Sequence, residues 1–67
     1  MKTLNLEVID ERQFKGFTGV LIQNTPNSEM RMVKLTDEDN KKYNRNLQHD
    51  ITLLWNLYNT YPAKYRI

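Results

Sequence analysis

Leu47-Gln48-His49-Asp50-Ile51-Thr52-Leu53-Leu54-Trp55-Asn56-Leu57-Tyr58-Asn59-Thr60-Tyr61 is the stretch on which the fold turns. Leu47, Ile51, Leu54, Tyr58 and Tyr61 recur at spacings of four, three, four and three, which gathers them on one face of an α-helix. Leu53, Trp55 and Leu57 widen that face into a broad stripe. Ile51, Leu54 and Tyr58 are expected to serve the core. Trp55 and Leu53, about a hundred degrees around the helix, are expected to meet another chain. The helix is predicted to start near Asn46 or Leu47 and to end by Thr60 or Tyr61. Pro62 cannot continue the hydrogen-bond ladder and pushes its predecessor out of the α region. Beyond it, Ala63 to Ile67 alternates weakly, with Tyr65 and Ile67 opposite Lys64 and Arg66, as a tail or short edge strand would.

Upstream of the helix, Thr36-Asp37-Glu38-Asp39-Asn40-Lys41-Lys42 supports two readings. In one, Asp39-Asn40 is a tight turn leading to a short fourth strand, Lys41 to Asn44. In the other, Thr36 is an N-cap with Asp39 at the acidic capping position and acids in the first turn. Asn40, Asn44 and Asn46 are poor helix-interior residues, so the hairpin is the expectation. Earlier, Phe17–Gln23 and Glu29–Leu35 alternate as two strands around the turn formers Asn24-Thr25-Pro26-Asn27-Ser28. Val20 and Ile22 oppose Leu21, and Met30 and Met32 oppose Val33 and Leu35. Gly19 marks a bulge or a close backbone approach. Met1 to Asp10 alternates as a first strand, and Asp10 to Lys15, charged and aperiodic, is expected to be a loop. The fold class is therefore α+β: an antiparallel sheet of three or four short strands with one C-terminal helix packed on one face. Residues 1–67 form a single small domain.

A chain of 67 residues is marginally stable by default, and disulfides, a metal or self-association are the usual remedies. There is no Cys and only one His, which removes thiolate chemistry and leaves no ligand set for a structural zinc. Self-association as a homodimer is thus an expectation. The composition, 39% apolar and 27% charged with a net charge of +2, is that of a folded domain and not of a disordered or strongly basic one. No apolar run is long enough for a membrane span. The opening residues do not read as a secretory signal, so a cytoplasmic location is expected.

Catalytic residues: none are expected, nor any cofactor or metal. Ser28, the only Ser, lies in a turn without a nucleophile-elbow context. His49 and Asp50 are adjacent and diverge on a helix. Asp37, Glu38 and Asp39 lack the spaced donors of a calcium loop. Trp and Tyr are the residue types enriched at interface hot spots, so Leu53, Trp55, Tyr61 and Tyr65 are the candidate protein interface. The functional expectation is a non-catalytic protein-interaction module, a regulator or inhibitor of a larger machine, with a protein partner whose identity the residues do not specify. The alternative is nucleic-acid binding by basic residues interleaved with aromatics, in patches around Tyr43 and Tyr65: Arg12, Lys15, Lys41, Lys42, Tyr43, Arg45, Lys64 and Arg66. Acids at Glu7, Asp10, Glu11 and 37–39 dilute that set.

Overall fold

The structure, a computed structural model, describes residues 5–25 and 28–67. Residues 1–4, where the first strand was expected to begin, and Pro26 and Asn27 of the expected turn lie outside the described residues. Three strands, β1 (Leu6–Phe14), β2 (Phe17–Asn24) and β3 (Glu29–Leu35), form an antiparallel sheet in the order β1-β2-β3. Three helical segments follow: α1 (Asp37–Lys42), α2 (Gln48–Thr60) and α3 (Pro62–Tyr65). The α+β class holds.

Residues 10–15 are not a loop. β1 runs through them to Phe14, and Lys15-Gly16 alone turn the chain into β2. Gly16 takes φ +88, a left-handed conformation that glycine adopts without a Cβ penalty. The charges that suggested a loop sit on a strand that has a free edge, where charged residues discourage pairing with other chains. The bulge also lies elsewhere than at Gly19. β2 pairs regularly with β3, while β1 shifts register between Val8 and Asp10, with Ile9 as the extra residue. Gly19 is instead a close-approach position. A Cβ there would come within 2.8 Å of Phe14 Cε2, 2.9 Å of Met32 Sδ and 3.1 Å of Ile67 Cδ1.

The expected hairpin at 36–46 gives way to α1. Thr36 is the N-cap, its hydroxyl accepting a hydrogen bond from the Asp39 amide at 3.3 Å. Asp37, Glu38 and Asp39 occupy the first turn, and Lys41 and Lys42 the last, each matching the sign of the helix dipole there. The asparagines act after the helix. Asn44 Oδ1 accepts from the Asn46 amide, and the Asp50 carboxylate accepts from the Asn44 amide, both at 2.8 Å. These bonds hold the bend that separates α1 from α2. α2 then ends as Pro62 requires, and Pro62 opens the single turn of α3 at its N-terminal position. The extended tail expected over 63–67 is reduced to one antiparallel bridge, Arg66 to Val33.

The core draws on one side of every strand. Leu6, Val20, Ile22, Val33 and Leu35 form a single cluster with Ile51, Leu54 and Trp55 of α2 and Tyr65 of α3. Tyr43, Leu57 and Tyr58 pack against it, half-buried. The two buried polar strand residues have partners: Thr18 Oγ1 donates to Gln13 Oε1, and Asn24 Oδ1 accepts from the Asn5 amide, each at 3.2 Å. At the free edge of β1, Gln48 Nε2 donates to the Leu6 carbonyl at 3.1 Å, and Arg45 Nε meets Glu11 Oε2 at 2.8 Å.

Candidate functional site

The four residues expected to form an interface do not share a surface. Trp55 is 4% exposed and Tyr65 5%, both in the core cluster, whereas Leu53 and Tyr61 are open at 38% and 56%. Spacing explains the outcome. Ile51, Leu54, Trp55 and Tyr58 follow the three-and-four pattern of a face wide enough to cover a sheet, so Trp55 belongs with the core set and not beside it. The Arg31 guanidinium lies 5.5 Å from the Trp55 ring centroid and 5.9 Å from that of Tyr58, closing the indole from above. Leu53, Leu57 and Tyr61 remain as a narrow ridge at spacings of four.

The basic and aromatic residues of the alternative are likewise dispersed. Arg12 and Lys15 belong to β1 and its turn, Lys41 and Lys42 to α1, Arg45 to the bend, and Lys64 and Arg66 to α3 and its exit. Their aromatic members are committed: Tyr43 is half-buried with Lys42 Nζ 5.7 Å from its centroid, and buried Tyr65 carries Lys64 Nζ at 5.3 Å. Arg45 is held by Glu11. No stacking platform is built from these residues.

A different surface is built. Register and burial divide the strands into two faces, and the face turned away from the core cluster carries Phe14, Phe17, Leu21, Met30 and Met32. Ile67 reaches the same face, as its proximity to Gly19 requires. Phe14, Met30 and Ile67 are 36%, 50% and 57% exposed. Phe14 stacks on Phe17 with centroids 4.9 Å apart and planes 14° from parallel, and Lys34 Nζ stands 4.9 Å from the Phe17 centroid. Among the described residues no helix covers this face, and only the side chains of Phe14, Met32 and Ile67 close over Gly19. It also holds charge: Arg12 and Lys34 flank Gly19, and Asp10 and Glu7 follow along β1.

The alternation in residues 17–35 already showed an apolar set on each side of the hairpin. Alternation alone does not say which of the two sets is buried, and the charges of residues 10–15 mask the place of Phe14 on a strand.

An open cleft of about 420 Å³ also runs along the outer edge of β3, beside Met30, Arg31, Tyr58, Asn59 and Arg66. Arg31 is already engaged there by Glu29 Oε2 at 2.8 Å. No cluster of three or more His, Asp or Glu among the described residues is placed to hold a metal ion. Nor, among them, is any helix long and apolar enough to cross a membrane. No family model, curated protein or solved structure matches the chain.

Proposed function

We propose that the protein is a small non-catalytic protein–protein interaction module whose docking surface is the open face of the sheet. In this reading α2 serves as the cover of one sheet face, and the opposite face is kept for a partner. The observation that carries it is the contiguity of Phe14, Phe17, Leu21, Met32 and Ile67 on a face that no helix covers. Contiguous exposed apolar patches on small soluble domains mark interaction sites, whereas single exposed apolar residues do not. Arg12, Lys34, Asp10 and Glu7 supply the polar margin that such patches carry.

The nucleic-acid alternative finds less support. The stack of Phe14 on Phe17 and the ammonium over Phe17 occupy ring faces that a base would need, and two acids share the surface. Leu21→Lys separates the readings, because it charges the open face and leaves the core side of β2 untouched. In nuclease-treated extract of the source cells, the tagged wild-type chain should retain a protein partner that Leu21→Lys loses. Retention by both chains, or retention only without nuclease, would contradict the proposal.

A further inference from the structure

The open face is arranged in rows, because cross-strand neighbours share a side of the sheet. From the Lys15-Gly16 turn downward they read Phe14 and Phe17; then Arg12, Gly19 and Lys34; then Asp10, Leu21 and Met32; then Glu7, Gln23 and Met30. Two cations thus stand in the second row, and an acid follows on β1 in the third. We infer that the occupant of this face is a second copy of the same chain, turned over about a two-fold axis that lies between the second and third rows and runs across the strands. The inference rests on the docking reading above and names its partner.

Such an axis lays β1 over β1 and the second row of each copy over the third row of the other. Arg12 then faces Asp10 of the second copy, twice by symmetry, as an isologous interface demands. Leu21 of the second copy meets the Phe14, Met32 and Ile67 side chains that close over Gly19. The other simple two-fold, running along the strands, would set Arg12 against Lys34 of the second copy twice. Juxtaposed like charges cost several kcal/mol. Charge therefore selects the first arrangement. Asp10 and Arg12 are both exposed, and among the described residues the Asp10 carboxylate is engaged only locally, Oδ1 accepting from the Glu11 amide at 2.9 Å. Both are free to make the new pair.

Two sheets packed face to face lie about 10 Å apart with their strands within about 30° of each other. Three strands and four rows give a face of about 14 by 20 Å from strand geometry. At about 280 Å² per copy this lies below the size of standard stable interfaces and in the range of weak, transient association. The dimer is accordingly expected to assemble in the micromolar range, and its formation would relieve the marginal stability of a chain this short.

Sedimentation equilibrium of the full chain, from low micromolar to near-millimolar concentration, provides the test. The wild type should show a reversible monomer–dimer equilibrium. Asp10→Arg alone and Arg12→Asp alone should each weaken it by roughly tenfold or more, since each variant meets itself with two like-charge pairs. An equimolar mixture of the two variants should recover the dimer, because both pairs are then complementary. Circular dichroism should show both variants folded, the substitutions being on exposed positions. A wild type that stays monomeric, single variants that dimerise normally, or a mixture that stays monomeric would each overturn the inference. If the wild type is monomeric and Leu21→Lys still loses a captured protein from nuclease-treated extract, the docking reading stands with another partner. If Leu21→Lys changes nothing, both fall.

Discussion

The indole of Trp55 lies between the core cluster and the Arg31 guanidinium, while Leu53, two residues before it, faces solvent. Truncation should separate them sharply. Trp55→Ala removes a buried aromatic, a loss of about 3–5 kcal/mol, which is comparable to the whole stability of a domain this size. Urea titration followed by circular dichroism should find it largely unfolded. Leu53→Ala should shift stability by less than about 0.5 kcal/mol. Arg31 makes an ion pair and a double cation–π contact, and the two can be told apart. Its side chain is 32% exposed and that of Glu29 42%, so the ion pair is screened and worth about 0.2–1 kcal/mol. The guanidinium over two rings, together with the packing of its stem, contributes more, about 1–2 kcal/mol. Arg31→Ala should therefore destabilise the protein more than Glu29→Gln does in the same titration.

At the scale of elements, α1 is the weakest part of the fold. It has six residues, none of them buried, far fewer than an isolated helix needs. Its cap contributes directly. Thr36→Ala should cost about 1 kcal/mol and speed amide exchange within 37–42 ahead of the sheet. Asn40 works in the other direction. Its Oδ1 is buried with no hydrogen-bond partner among the described residues, and an orphaned acceptor costs about 1–3 kcal/mol. Asn40→Ala removes that cost and installs a better helix former, so thermal unfolding should shift upward. This region also shows why the capped helix ranks second to a hairpin when only the sequence is read. The asparagines at 40, 44 and 46 argue against a helix by propensity, yet two of them organise the bend after it. A capping interaction at Thr36 outweighed the propensity of the residues that follow.

Over the whole molecule, the legible parts were those where a period ran unbroken. The bounds of α2 and the β2–β3 pairing followed from spacing and from Pro62 and the Asn24–Ser28 cluster. Less legible was anything that depends on which of two apolar sides is buried, because alternation is symmetric and burial is decided by the element laid against it. The candidate site lies in that blind spot. By residue type Trp55 points to the helix, whereas the open surface is made of Phe, Leu and Met on the far side of the sheet.

The order β1-β2-β3 makes every sheet neighbour a neighbour along the chain, with two residues closing the first hairpin. Long-range closure is left to the helical half, as in the bond from Gln48 to the Leu6 carbonyl across 42 positions. Local hairpins form in microseconds, and closing distant segments is slower. The sheet is thus expected to assemble first, with α2 settling onto it in the rate-limiting step, on the order of milliseconds for a mixed domain. The single Trp of the chain sits in that last contact, so its fluorescence would time the arrival of the helix and be blind to the hairpins that precede it.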